Sequence, residues 1–309
     1  MGIPMTEGRL SSGGIEIVEI VKDRSVPVVS HDTLYHYTSQ SGLRGIIENQ
    51  CIWATDVRYL NDSTEFSYAI NLASKLLKEK CINDENDLSE VISLLLSSEP
   101  GPVFAASFST SSDQLSQWRG YCPDTGGFML GFDISEMQRM AKEQGFQLEE
   151  CIYSKDKQRA ALNKIIDGTL QFIASNWSNT NEHSGIDLDT VMKTGGKMRL
   201  AFALDLMHLA PTLKHPSFYE EREKRLIAIA DHVRPRKIMF REGRSMTAPY
   251  IEFNHQKNKK RKQALPIKEI MVGPTPHTKL SMLSIRQLLK NNKINSCAVI
   301  PSEIPYRPW

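Results

Sequence analysis

The clearest pattern of apolar and polar positions along the chain lies in Leu34–Thr38, where a histidine stands between two tyrosines. On a strand, His36 projects to one face and the two tyrosines project to the other. The hydroxyl-bearing run Thr38–Ser41 can then cap a helix in which Leu43 and Ile47 belong to an apolar stripe at helical spacing. The pattern predicts a strand that leads directly into an amphipathic helix.

The same periodicities predict alternating strands and helices along most of the chain. Further strands are predicted at residues 51–57, 103–108, 126–133, 146–153, 218–230, 237–240, 248–253, 267–272 and 298–300, and further helices at residues 63–80, 87–96, 113–121, 134–144, 155–175, 188–209 and 280–290. Because no repeat or low-complexity linker interrupts them, we predict one α+β domain over residues 31–309. An extension over residues 1–30 precedes it, and a helical insertion falls at about residues 155–212.

Composition narrows the class of protein without indicating a function. Of the 309 residues, 40% are hydrophobic and 24% are charged, and a formal net charge of +2 gives no global field that favours nucleic acid or a membrane. The five cysteines are widely spaced and no apolar segment is long enough to span a membrane, so we expect a cytoplasmic protein without a metal site. We interpret the basic run Lys257–Lys262 as a solvated hairpin tip rather than a phosphate-binding patch.

Two segments beyond His36 carry residues suited to chemistry. Phe108–Ser111 is rich in hydroxyl groups, and Phe218–Arg225 contains a Glu-x-Glu pair. On a strand, Glu221 and Glu223 would share one face, where each raises the pKa of the other unless an arginine lies between them. The alternatives are a histidine packed in the core and a charged strand that faces solvent.

These segments, in this order, resemble the family called domain of unknown function 2971 (DUF2971). The resemblance rests on Leu34–Thr38, Ile52–Thr55, Leu60–Glu65, Ala106–Ser109, Gln117–Tyr121, Gly127–Phe128, Phe218–Arg225, Ile270–Pro274 and Ser302–Arg307. The family often has Met-Trp followed by His-Tyr, where this chain has Gln-Trp followed by Gly-Tyr.

The opening of that family is in turn similar to ADP-ribosyltransferases, which begin with a Tyr-His-x-Thr strand and an amphipathic helix. The likeness implies a split antiparallel β-sheet and NAD as the substrate. It places His36 on the adenosine-side ribose and Glu223 or Glu221 on the nicotinamide ribose. Ser109 and the Glu-x-Glu pair resemble a second branch of the fold, which has an arginine where this chain has His36.

The chemistry of NAD cleavage extends the list of candidate residues. The reaction passes through an oxocarbenium-like ribose, which a carboxylate stabilises. Tyr37 and Trp118 offer aromatic surfaces, Thr38 offers a hydroxyl, and Arg119 can make bidentate contacts with a pyrophosphate. We expect His36 at the floor of the largest pocket, with the Glu-x-Glu pair close to it and Trp118 and Arg119 at the border.

The leading hypothesis is therefore an NAD-dependent ADP-ribosyltransferase, a toxin or anti-phage effector that modifies nucleic acid or protein and has a cognate antitoxin or defence-system partner. The alternative is a catalytically inactive module of the same fold that binds a nucleotide or a partner and acts as a sensor. A metal-dependent nuclease that uses Asp62, Glu65 and Glu221 ranks last, because no Asp…Glu-x-Lys arrangement follows a strand.

Overall fold

A computed structural model describes residues 32–60, 64–80, 101–123, 126–178, 200–230, 237–243, 245–254 and 264–305. The N-terminal extension, the helix predicted at residues 87–96 and the basic run Lys257–Lys262 lie outside these residues. Within the described parts, no helix combines the length and apolar character needed to cross a membrane.

Ten strands and seven helices are present in the described residues, and this mixture confirms the α+β prediction. The strands are β1 (Thr33–Thr38), β2 (Ile52–Asp56), β3 (Val103–Ser109), β4 (Phe128–Asp133), β5 (Gln147–Glu150), β6 (Glu223–Ile229), β7 (Met239–Glu242), β8 (Thr247–Phe253), β9 (Ile267–Val272) and β10 (Ala298–Pro301). The helices are α1 (Gln40–Asn49), α2 (Thr64–Lys80), α3 (Leu115–Tyr121), α4 (Ile134–Gln144), α5 (Lys155–Ser178), α6 (described over 200–209) and α7 (Thr278–Asn291). Short 3-10 helices cover Val57–Tyr59, Ala210–Thr212 and Pro216–Glu221.

The predicted passage from strand to helix at His36 is confirmed. Ser39 ends the extended backbone and its hydroxyl accepts a hydrogen bond from the Gly42 amide, at 3.2 Å, which caps α1. Gly42 has no substitute here, because a Cβ atom at this position would lie 2.0 Å from the Thr38 hydroxyl. The close approach of α1 to the end of β1 therefore depends on a glycine.

The ten strands form one sheet that divides at β3. One edge of β3 pairs along its whole length with β6, and β6 also pairs with β5. The other edge is shared, because β2 pairs with its first half and β1 pairs with its last residue. Beyond β1 the order is β4, β9 and β10, and beyond β2 it is β8 and β7. β1 and β2 thus separate along a single edge of β3.

Hydrophobic cores lie on both faces of the sheet. On one face, Leu34, Phe104 and Phe132 pack against apolar residues of α1, α4 and α7. On the opposite face, Ala105 and Ile227 contact Met207 of α6. The predicted helical insertion does not stand apart, because α5 and α6 share a core with α2.

The strand predicted at residues 218–230 is wrong in its first part. Pro216 fixes its own φ angle and lacks an amide hydrogen, and the His215 side chain accepts from the Ser217 amide, so a 3-10 helix forms instead. Arg222 ends it with a φ of 43°, and β6 begins at Glu223. Glu221 and Glu223 therefore do not lie on one strand.

Candidate functional site

The carboxylate of Glu223 lies at the centre of a buried ionic network. Glu223 is 3% exposed and begins β6, where it pairs with Ser109 of β3. Arg225 Nε donates to Glu223 Oε1 at 2.7 Å, and Arg225 Nη2 donates to Glu223 Oε2 at 3.1 Å. This two-point contact is the geometry that a guanidinium and a carboxylate favour.

Lys214 supplies the second cation, and its side chain is fully buried. Its ammonium donates to Glu223 Oε2 at 2.7 Å and to Glu221 Oε2 at 2.5 Å. Two cations therefore balance two carboxylates in the protein interior. A buried ion pair is stable only when its charges are matched in this way.

The pKa values follow from these contacts. Burial by itself raises the pKa of Glu223, but Arg225 and Lys214 outweigh burial and lower it to about 2. Burial likewise acts to lower the pKa of Lys214, while Glu223 is the strongest of the groups that raise it, and the result is well above the usual value. Glu223 and Lys214 are thus both charged at neutral pH, and Glu223 cannot serve as a proton donor.

Glu221 is the carboxylate closer to solvent. Its side chain is 16% exposed and approaches the Tyr121 hydroxyl, which donates to it at 3.3 Å. The backbone around it is held in place, because Ser109 Oγ donates to the Glu221 carbonyl at 2.7 Å and Gln114 Nε2 donates to the Glu220 carbonyl at 2.8 Å. The geometry favours Glu221 over Glu223 as the carboxylate that a ligand can reach.

His36 adopts a defined tautomer at the point where β1 separates from β3. Its Nδ1 lies 2.9 Å from the Ser107 carbonyl oxygen, which can only accept, so Nδ1 carries the proton. Burial lowers the pKa of His36 more than the hydrogen bond to Ser107 raises it, and the ring is neutral at pH 7. Nε2 is left as an acceptor.

One small cavity joins these groups. Its volume is about 60 Å³, and its lining includes His36, Ser109, Glu221 and Glu223. Along the ladder, Glu223 shares a face with Ser109 and Tyr35, whereas His36 alternates to the other face. Residues from both faces of the ladder line one cavity because the sheet divides at this point.

The expectation that His36 lies at the floor of the largest pocket is wrong. A much larger cavity, with a volume of about 800 Å³, lies between β5, α5 and α6. His36 does not line it. The reason is that the aromatic and ionic side chains around His36 fill the divide in the sheet, and only a small space remains.

The other candidates named from the sequence have structural contacts instead. Trp118 is 3% exposed, packs edge-on against Tyr37 and donates from Nε1 to Asp113 at 2.8 Å. The Tyr37 hydroxyl donates to the Ser111 carbonyl at 3.2 Å, but Tyr37 also lines the cavity beside His36. Arg119 is exposed on α3, and neither it nor Trp118 lines the cavity. Thr38 contacts the first turn of α1 and is also absent from the lining.

Three further residues of this region were not predicted as site residues from the sequence: Gln117, Tyr121 and Lys214. Gln117 and Tyr121 belong to the segment Gln117–Tyr121 that carries the family resemblance, and they line the cavity four residues apart on one face of α3. Nothing in the sequence distinguishes Lys214, because lysine side chains are usually exposed.

The remaining hypothesis from the sequence concerned a metal-dependent nuclease. Asp62 lies outside the described residues, and so does the Glu65 side chain. Where side chains are described, no group of three or more histidine, cysteine or acidic residues is arranged to hold a metal ion.

Residues 117–226 match the family model described as a protein of unknown function (DUF2971). The family resemblance predicted from the sequence is confirmed over this part of the chain, which includes α3, Lys214 and the Glu-x-Glu pair. No match was found among curated proteins or among solved structures. The likeness to ADP-ribosyltransferases therefore stays a prediction.

Proposed function

We propose that this protein is an NAD-dependent ADP-ribosyltransferase whose site is the cavity between His36 and Glu221. The observation that carries the proposal is the convergence of a neutral histidine and a charged carboxylate at the place where β1 and β2 part along β3. Such a division of the sheet is what an ADP-ribosyltransferase-like fold requires. The resemblance at Leu34–Thr38 supports the same assignment.

In this proposal Glu221 stabilises the ribose cation. When the bond between nicotinamide and ribose breaks, positive charge develops on the sugar ring. A carboxylate that accepts a hydrogen bond from the 2′-hydroxyl stabilises that charge most strongly at the transition state. Lys214 orients Glu221 through its hydrogen bond to Oε2, and Ser109 fixes the backbone of Glu221.

His36 is assigned to the adenosine-side ribose. Its Nε2 accepts a hydrogen bond from a ribose hydroxyl, while Nδ1 remains bound to Ser107. A neutral ring suits this role because it adds no charge beside the developing cation. Tyr37 lines the cavity beside His36, whereas Trp118 packs behind Tyr37 and supports β1 and α3.

The cavity of about 60 Å³ is too small to enclose a dinucleotide. NAD binding therefore requires movement at the rim, and Tyr121 is the side chain best placed to move. It is 37% exposed, and its hydroxyl contact with Glu221, at 3.3 Å, is long for a hydrogen bond between a hydroxyl and a carboxylate. In this proposal a ribose hydroxyl replaces the Tyr121 hydroxyl on Glu221.

The acceptor is proposed to be a macromolecule, either nucleic acid or protein. A chain of this kind would act as a toxin or anti-phage effector in the cytoplasm, held in check by an antitoxin or another defence-system partner. An ADP-ribose mass increment on a target, in cells that express the chain, tests this part.

The site itself is tested by NAD titration calorimetry and by NAD turnover in the wild type and in Glu221→Gln. We expect turnover to fall about a hundredfold, because the charge that stabilises the ribose cation is lost, while NAD affinity changes little. Glu220→Gln is the matched control, since Glu220 is exposed and its side chain does not line the cavity. Two results contradict the proposal: an equal loss of turnover in both variants, or NAD that binds away from His36.

One observation favours a second candidate. Both oxygens of Glu223 are already occupied by Arg225 and Lys214, as in a structural ion pair. The alternative is an inactive module of the same fold that binds a nucleotide and acts as a sensor. It predicts NAD binding that is weakened by His36→Ala, with no turnover in any variant and on any acceptor.

A further inference from the structure

A large cavity lies away from the proposed NAD site, between β5, α5 and α6. We call it the β5–α5–α6 cleft, and its volume is about 800 Å³. Helix α5 contributes Lys164, Gly168 and Phe172, which repeat every four residues and so share one face. Helix α6 contributes Asp205 and His208, which are three residues apart. The cleft is thus formed by matched faces of two helices and a strand.

The lining separates into an apolar floor and an acidic rim. Ile152, Ile165 and Phe202 supply buried or partly buried apolar surface. Glu149 of β5 and Asp205 of α6 are exposed at the rim. Glu150 also lines the cleft, but it pairs with Lys224 at 3.5 Å, which leaves two carboxylates, Glu149 and Asp205, against one lining cation, Lys164. The cleft therefore favours a molecule that is apolar at one end and positively charged at the other.

His208 adds an observation that does not depend on the charges. Its Nδ1 atom is buried and has no hydrogen-bond partner among the described residues. Buried polar atoms almost always have a partner, so this one requires an explanation. Burial lowers the pKa of His208 against the opposing pull of Asp205 and Glu149, and a neutral ring can present a lone pair to a donor. Nδ1 itself has almost no solvent-accessible surface, so His208 lines the cleft through the rest of its ring.

His208 also borders a second cavity, of about 610 Å³, which shares Gln147 and Glu149 with the first. The two cavities therefore meet at this histidine. The space there exceeds what one or two water molecules occupy and lies in the range of small-molecule sites.

We propose that the β5–α5–α6 cleft binds an organic cation, a primary ammonium group carried on an apolar body. The apolar body lies on Ile165 and Phe202, and the ammonium group lies between Glu149 and Asp205. This site is separate from the His36 cavity and does not depend on NAD chemistry.

Gly168 provides a variant that blocks the cleft with little risk to folding. A Cβ atom built at Gly168 meets nothing within 4 Å, and glycine is unfavourable inside a helix. Gly168→Leu therefore adds a side chain to the lining of the cleft, and its Cβ atom meets no neighbour. Gly45→Leu on α1 is the matched control, because a Cβ atom at Gly45 also meets nothing within 4 Å and lies outside the cleft.

The test uses 4-phenylbutylammonium as the probe and neutral 4-phenylbutanol as its partner of the same shape. Binding to the full chain is measured by calorimetry and by ligand-observed NMR. We expect the ammonium to bind about tenfold more tightly than the alcohol, and Gly168→Leu to weaken it by at least about tenfold while Gly45→Leu does not. Asp205→Asn should weaken the ammonium by about two- to fivefold and leave the alcohol unchanged.

Three results would each overturn the proposal. They are equal affinity for the two probes, unchanged ammonium binding in Gly168→Leu, and no binding of the ammonium at millimolar concentration. Circular dichroism melting of each variant confirms that the folded state is being compared. Because no arm of the test uses NAD, its outcome is independent of the proposed transferase activity.

Discussion

The two cavities described above differ in whether their buried polar groups have partners. Around Glu223 each charge has a partner, and the space that remains is about 60 Å³. In the β5–α5–α6 cleft the space is about 800 Å³, and Nδ1 of His208 has no partner among the described residues. The first region is closed by internal contacts, whereas the second leaves contacts for another molecule to make.

The difference has a consequence for stability. Removing one member of a matched buried network leaves the others charged and unpaired, which is costly. Removing a buried group that has no partner relieves a cost that the fold already bears. Mutations in the two regions should therefore change the free energy of unfolding in opposite directions.

The largest effect is expected for Glu223→Gln. The change leaves Lys214 and Arg225 buried with only Glu221 to balance them, so the free energy of unfolding should fall by about 3–5 kcal/mol. Urea denaturation measures this loss of stability, and Glu220→Gln, at an exposed position, is the control. A loss below about 1 kcal/mol would mean that the network does not stabilise the fold. The same instability makes Glu223→Gln a poor test of catalysis.

The pH dependence of stability should show the same network. The pKa of Glu223 is about 2 in the folded protein, against 4.5 for the unperturbed group, so its contribution is complete above about pH 4.5 and is lost as the pH falls toward 2. The shift corresponds to about 3 kcal/mol. Urea denaturation between pH 6 and pH 3 measures the decline. A flat profile over that interval would contradict the assignment.

In the cleft, His208→Leu should stabilise the protein by about 1 kcal/mol in the absence of ligand. The substitution removes a buried nitrogen that has no partner and replaces the ring by an apolar side chain. Thermal unfolding measures the change. Destabilisation would indicate that His208 has a structural partner.

The smallest effect is expected for Gly168→Ala, which should stabilise α5 by about 0.5–1 kcal/mol. The added methyl group meets no atom within 4 Å, so only helix propensity changes. Gly42→Ala serves as the contrast, because its Cβ atom would lie 2.0 Å from the Thr38 hydroxyl and must destabilise α1. If both variants shift the melting temperature in the same direction, the packing around one of them is misassigned.

Much of the fold follows from local sequence patterns. The strand and helix at His36, the buried strand β3 and the helix α4 are fixed by apolar periodicity and by caps such as Ser39 and Asp133. The prediction failed at residues 218–221, where Pro216 and the His215 side chain favour a 3-10 helix over a strand. The two glutamates of that segment provide no apolar periodicity that could distinguish a strand from a helix.

The candidate site, like the fold, was predictable from the sequence only in part. The sequence by itself determined that His36 lies on a strand before a capped helix, and that a buried strand follows the charged segment that ends at Arg225, because these are properties of neighbouring residues. Only the tertiary structure decided that Lys214 lies between Glu221 and Glu223, that Trp118 belongs to a core, and that His208 lines a large cleft. Those facts depend on which residues meet across long separations in the chain. Local periodicity carries no information about such long-range contacts, because they depend on how the sheet divides and on how the helices pack against it.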